Sequence, residues 1–381
     1  MIYLDSAATA RPSEGVADFM REALIKYYAN PDSTHAAGLE AGRQIEQARD
    51  IIAGVIKAKP EELIFTSSGT EANNLALFGA CSALKRRGNK IIISDSEHPS
   101  VYMPIKELEK QGFEIIYLAT KGGVINIDEL KDKLDERVIL ISVMAVNNET
   151  GAIYDIKSIT DAVGDMYKNH EFRPYIHSDG VQAYGKININ LNRLKIDMLS
   201  ASAHKIHGIK GSGLLYLRKN TKINAQIYGG GQEHNMRSST LNTPGILAFG
   251  KAAQEINIDA DNQIIASLYD YAELKLKDKC PGVSINKCGE FSRYILSLRL
   301  PNVRSEIMLN YLSSRDIYIS SGAACSSKKT SESSRVLLNY GLDKLSADFT
   351  VRVSFSKYNN RAEIDAFADA LADGIARFAV Y

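Results

Sequence analysis

Cysteine is scarce in this 381-residue chain, with four residues, at positions 81, 280, 288 and 325. So few, so scattered, they make no disulfide framework. Cys280 and Cys288 flank the turn-rich "CPGVSINKC", a spacing that matches no common zinc pattern and has no histidine close by, so both read as structural and no metal is expected. Cys81 falls with Leu77, Ala80 and Leu84 on the apolar face of an expected helix. A charge excess is missing too: 46 Lys and Arg against 45 Asp and Glu give a net charge of +1. That leaves no basic field to favour nucleic acid and no acidic tail. No apolar run approaches membrane-spanning length, and "MIYLDSAATARP" has neither a basic start nor an apolar signal core, so a cytoplasmic protein is expected. Internal repeats and low-complexity linkers are also missing.

What is present is an ordinary globular composition, 45% hydrophobic and 24% charged, with length for about two domains. From about residue 60 to 220, β-rich runs alternate with helical stretches. Strands are expected at 62–67, 90–95, 113–119, 138–146, 175–179, 197–202 and 213–218. The first of these are nearly continuous Ile, Val and Leu, as in a sheet covered on both faces. Helical periodicity over 70–87, 99–111 and 156–169 completes an α/β pattern with a mostly parallel sheet, whose ligands gather at the carboxyl ends of the strands. After "TPGILAFGKAAQEI" the texture changes to long amphipathic stretches with isolated strands at 294–300 and 349–355. The expected division is a large domain over 15–254 and a smaller α+β domain made of 1–14 and 255–381.

Five motifs carry chemistry. In "TSSGTEANNLAL" (66–77) a strand ends, Ser68-Gly69-Thr70 turns and Glu71 starts a helix, so free backbone N–H groups and the Thr70 hydroxyl offer a phosphate cradle. "SASAHKIHGIKGSG" (200–213) sets Lys205 just past a strand end, where desolvation frees an amine for Schiff-base chemistry. "YIHSDGVQAYGK" (175–186) supplies Asp179, suited to a protonated ring nitrogen, with Gln182 three residues on. "SDSEHPSV" (94–101) places His98 in a strand-to-helix turn, where an imidazole stacks on a flat ring or moves protons. "VNNETG" (146–151) ends another strand with Asn148 in reach of a ring hydroxyl. Taken singly, each has an ordinary reading as a helix cap, a turn residue or a solvated lysine. Together they fall at the ends of successive strands and make up the set a pyridoxal-phosphate site requires. Cys325 stands apart, in "SSGAACSSKK" (320–329), with no bulky neighbour to bury it.

These motifs resemble the cysteine desulfurases, in the class V aminotransferase group of fold-type I pyridoxal-phosphate enzymes. "LDSAAT" (4–9), "NPDSTHAAGLEA" (30–41), "GGGQEHNMRSSTLNTPG" (229–245), "SSGAACSS" (320–327) and "RVSFSKYNNRAEID" (352–365) extend the resemblance over nearly the whole chain. It implies a seven-stranded, mostly parallel sheet in the large domain. It makes Lys205 the lysine that holds the cofactor covalently and removes a proton. Gly69, Thr70, Ser202 and His204 become phosphate-side residues, His98 the stacked ring, Asp179 the partner of the ring nitrogen, and Gln182 and Asn148 the groups at the ring hydroxyl. Thr240 matches a residue that reaches the phosphate of the neighbouring subunit, implying a homodimer. Arg352 matches the arginine that binds the substrate carboxylate, with Asn30 a second substrate-side residue.

Cys325 then matches the loop nucleophile that takes sulfur from L-cysteine as a persulfide, for delivery to an acceptor protein in iron–sulfur cluster assembly or in tRNA or cofactor thiolation. Selenocysteine lyase, or another class V enzyme, is the alternative. The chain departs from the family's usual wording at His234-Asn235, Ser239, His207 and Ile209.

Overall fold

The computed structural model describes residues 1–287, 289–322 and 335–379. Seven strands form the central sheet: β1 (Leu63–Thr66), β2 (Lys90–Ser94), β3 (Glu114–Leu118), β4 (Val138–Ser142), β5 (Tyr175–Asp179), β6 (Met198–Ser202) and β7 (Gly213–Leu217). Their order is β1-β7-β6-β5-β4-β2-β3, with β7 alone running against its neighbours. The expected strands are all present. Every residue of β1, β2, β4 and β6 is buried, which is why their sequences are apolar without alternation.

Helices cover both faces. On one side α1 (Glu14–Lys26), α2 (Ala36–Val55) and the helix Thr243–Gln254 pack on a core that includes Ile45, Ile52, Phe65, Tyr184 and Phe249. On the other, α3 (Gly69–Leu84) and α4 (Pro99–Lys110) pack on Ile64, Ile91, Ile93 and Leu215. Cys81 belongs to this second core, and burial pushes its thiol up to about 12. Cys280 is buried as well, whereas Cys288 lies outside the described residues.

One helix start differs from the sequence expectation. α3 begins at Gly69 rather than Glu71, because Ser68 is extended and its Oγ accepts from Glu71 N at 3.1 Å. A Cβ on Gly69 would stand 2.5 Å from Val181 Cγ2, so glycine is what lets the helix start approach the turn after β5.

A third core gathers Leu4 and Ala7 with Leu268, Tyr269, Leu296, Val351, Val353, Phe355 and Phe367. Its four-stranded antiparallel sheet runs Ser320–Ser321, Thr350–Ser354, Ile295–Arg299, Ser284–Ile285. The helices Ile258–Lys279 and Arg361–Phe378 flank it, the latter started by an Asn360/Glu363 capping box. Ile2–Tyr3 pairs in parallel with Ile317–Tyr318, and Ala10 N reaches His204 O at 2.9 Å. The first ten residues therefore run from the third core to the carboxyl end of the central sheet. Among the described residues no helix is long and apolar enough to cross a membrane.

Candidate active site

The carboxyl ends of β1, β5 and β6, with the turns after β2 and β4, enclose a cavity of about 280 Å³. Gly69, Thr70, His98, Asn148, Asp179, Gln182, Ser202, His204, Lys205 and Arg352 all line it, together with Ala7 and Ala8. The structure thus brings together ten of the thirteen residues singled out in the sequence. Asn30 and Thr240 are not in its wall: both are exposed, and Asn30 Oδ1 accepts from Asp32 N at 3.0 Å to hold a turn. Cys325 lies outside the described residues.

One wall is the first turn of α3, which presents unsatisfied N–H groups and the positive end of a 16-residue helix. Ser202, closing β6, and the single turn Ala203–Lys205 form the adjacent wall. Lys205 Nζ donates to the carbonyls of Ala7 at 2.7 Å and Ala8 at 2.6 Å, so the N-terminal segment sets the direction of the amine. His204 Nδ1 meets Thr9 Oγ1 at 3.2 Å. Burial, with the positive charges of Lys205, Lys186 and Lys210, pulls its pKa down to about 4, so its ring is neutral at neutral pH.

Asp179 ends β5 with both carboxylate oxygens engaged. Oδ1 accepts from Val181 N at 2.9 Å and Oδ2 from Asn73 Nδ2 at 2.8 Å. Asn73 also donates to Ser100 Oγ at 2.8 Å, and Ser100 Oγ lies 2.7 Å from His98 Nδ1. Asn73 is fully buried on the inner face of α3 and joins Asp179 to the His98 turn.

His98 is the N-cap of α4, and its Nδ1 accepts from Ser100 N at 3.1 Å. A backbone N–H only donates, so Nδ1 carries no proton and neutral His98 holds its hydrogen on Nε2. Burial lowers the His98 pKa. Asp179 opposes that shift, while Lys205, Arg335 and Arg352 add to it.

The Asn148 corner is built by its neighbour. Asn147 Oδ1 accepts from Glu149 N and Thr150 N, both at 2.9 Å, and fixes the turn. Asn148 O accepts from Arg352 Nη1 at 2.8 Å, while Asn148 Oδ1 is buried with no partner among the described residues. Arg352, 1% exposed, also gives Nη2 to Asp5 Oδ1 at 2.9 Å, and its Nε has no partner among the described residues. Asn73, Asn147 and Asp5 went unread as site residues because their contacts lie in the fold. "LDSAAT" and "VNNETG" flagged only the segments.

The site fits pyridoxal phosphate on its own chemistry. A helix N-terminus for an anion, an amine held by carbonyls, a buried carboxylate and an orphaned amide oxygen face one cavity.

Comparison with known proteins agrees. The Aminotransferase class-V family model matches residues 2–367. Cysteine desulfurase IscS of Dictyoglomus turgidum is 38% identical over 97% of this chain and 93% of its own length. The chain belongs to the cysteine desulfurases of the class-V aminotransferase family. Another cysteine desulfurase, the mitochondrial one of Candida albicans, is 37% identical over 98% of this chain and 76% of its own. The solved structure of a NifS-like protein superposes with a TM-score of 0.92 at 34% identity, covering 99% of this chain and all of the other. The fold is accordingly that of a fold-type I pyridoxal-phosphate enzyme. The cysteine desulfurase departs from the motif pattern outside its cavity wall: His207, His234 and Asn235 adopt positive φ of 64°, 57° and 63°. His207 there gives its Nδ1 hydrogen to Arg11 O at 2.8 Å.

Proposed function

We propose that this cysteine desulfurase uses pyridoxal phosphate to convert L-cysteine to L-alanine, with the sulfur carried away as a persulfide on Cys325. The observation that supports this most is the convergence of Lys205, Asp179, His98 and Arg352 on one cavity. Balance is simple: L-cysteine and an enzyme thiol become L-alanine and an enzyme persulfide. The substrate C–S bond breaks, an S–S bond forms, and the carbon gains the hydrogen.

When bound, the cofactor supplies a carbonyl for the substrate amine and a ring that takes up an electron pair. Thr70, Ser202, His204 and the Gly69 end of α3 would hold its phosphate. Asp179, kept in place by Asn73 and Val181 N, would hold the ring nitrogen. Gln182 and Asn148 would hold the ring hydroxyl. Lys205 is the base that takes the proton from the substrate Cα, released from the Ala7 and Ala8 carbonyls for that purpose. Arg352 orients the substrate carboxylate with N–H groups that Asn148 O and Asp5 Oδ1 do not take up, its Nε among them. His98, neutral with its hydrogen on Nε2, would stack on the ring.

The wider reading is a homodimer, in which Thr240 serves the neighbouring site, acting in the cytoplasm and passing sulfur to an acceptor protein. Residues 15–254 form its cofactor-binding unit. The relatives compared are named cysteine desulfurases, so a selenocysteine lyase is not favoured. Loading the protein with pyridoxal phosphate, reducing it with borohydride and mapping peptides tests the reading. The cofactor mass belongs on Lys205. Its appearance on another lysine, or on none, overturns the site.

A further inference from the structure

Lys186 closes the turn after β5 and is only 6% exposed. Ammonium groups are rarely buried that far without a carboxylate beside them. Lys186 forms no ion pair among the described residues. It shares a small cavity of about 30 Å³ with Asp261 and Glu255, both engaged elsewhere. Asp261 pairs with Lys357 at 3.1 Å, and Glu255 accepts from Ser13 Oγ at 2.6 Å. Lys186 Nζ donates instead to Gln182 Oε1 at 3.0 Å and stands 5.3 Å from the Tyr294 ring centroid. Burial, with the like charges of Lys205 and Arg352, pulls its pKa down to about 7.

This contact settles which way round the Gln182 amide sits. An ammonium donates and cannot accept; a backbone carbonyl accepts and cannot donate. Gln182 meets the ammonium with Oε1 and the Ala7 carbonyl with Nε2 at 2.8 Å, so both ends agree. Nε2 keeps one further N–H, and Gln182 is part of the wall of the 280 Å³ cavity. A second link runs through Ala7 O, which accepts from Lys205 Nζ as well as from Gln182.

We propose that Lys186 is a positioning residue: by holding Gln182 Oε1 it commits the amide to donate, so that Nε2–H meets the ring-hydroxyl oxygen of the cofactor in its ionised form. The inference rests on the cofactor reading above. It assigns to a buried lysine without substrate contact the choice between an amide that donates to that oxygen and one that accepts from it.

The test compares the wild type with K186M, Q182L and the double variant. Two properties are read: the dissociation constant for pyridoxal phosphate, and the pH midpoint of the bound cofactor's visible absorption band. K186M is expected to weaken cofactor binding about tenfold, the worth of one ordinary hydrogen bond. It should also raise the band's midpoint by about one pH unit, because the ionised hydroxyl loses a donor. Q182L should reproduce both changes, and the double variant should go no further than either. K186A likewise has no donor for Gln182 Oε1 and carries the same prediction should K186M not fold. Wild-type affinity and midpoint in the Lys186 variant, or effects that add in the double variant, overturn the proposal. A wild type that takes up no pyridoxal phosphate overturns the cofactor reading and this inference with it.

Discussion

Arg352 Nη2 stands 2.9 Å from Asp5 Oδ1, an ion pair between residues 347 positions apart. Asp5 Oδ1 also accepts from Ser320 Oγ at 2.8 Å, so one carboxylate ties the N-terminal segment to two strands of the small sheet. The guanidinium is thereby fixed before any substrate arrives. Asp5→Ala leaves the Asn148 contact but frees the Nη2 side. The KM for L-cysteine is expected to rise about tenfold, near 1.4 kcal/mol, with kcat changed less. Steady-state kinetics check this, and a KM unchanged from wild type would deny Asp5 any part in orienting Arg352.

Asn73 is the next lever. Its amide joins Asp179 Oδ2 and Ser100 Oγ, both at 2.8 Å, inside the protein. Asn73→Leu leaves those groups without their donor and should cost about 1–3 kcal/mol in denaturant unfolding. Cofactor affinity should fall with it, because Asp179 is no longer aligned.

Gly69 meets Val181 closely enough that an added methyl clashes, at 2.5 Å from Cγ2. Gly69→Ala should lose stability by about 1–3 kcal/mol and bind pyridoxal phosphate more weakly. The double variant Gly69→Ala, Val181→Ala should recover most of both, read by thermal unfolding and cofactor titration. No recovery would mean that the helix start, not the clash, sets the cost.

Glu97 gives a pH signature. Its Oε1 accepts from Ser94 Oγ at 2.5 Å and Met144 N at 2.7 Å, while Oε2 is buried without a partner among the described residues. Burial is the chief cause that raises its pKa from 4.5 to about 8. The folded protein then holds a proton that the unfolded chain releases. This contribution to stability is complete below pH 4.5 and is lost as pH climbs to about 8. Glu97→Gln keeps the acceptor and removes the titration. Melting temperatures should show the variant gaining on the wild type between pH 5 and pH 8. Parallel curves would refute the assignment.

The strands and the chemistry at their ends were legible because a covered parallel sheet writes itself as apolar runs, and because the motifs follow those runs directly. Lys205, Asp179 and His98 needed no tertiary information. Asp5, Asn73 and Lys186 did. Each acts through a partner supplied by the fold: Arg352 far along the chain, Asp179 across the sheet, and Gln182 one turn away in a burial that no periodicity reports. The start of α3 moved to Gly69 for a similar reason, since the cap is a side-chain bond and Ser68 was read only as part of a turn.

The central claim is sulfur removal from L-cysteine by Lys205 and Cys325. The most direct measurement is alanine released from L-cysteine by the cofactor-loaded protein with a thiol reductant, beside Lys205→Ala and Cys325→Ala. Alanine from the wild type and from neither variant is the predicted result. Alanine formed at the wild-type rate by either variant would contradict it.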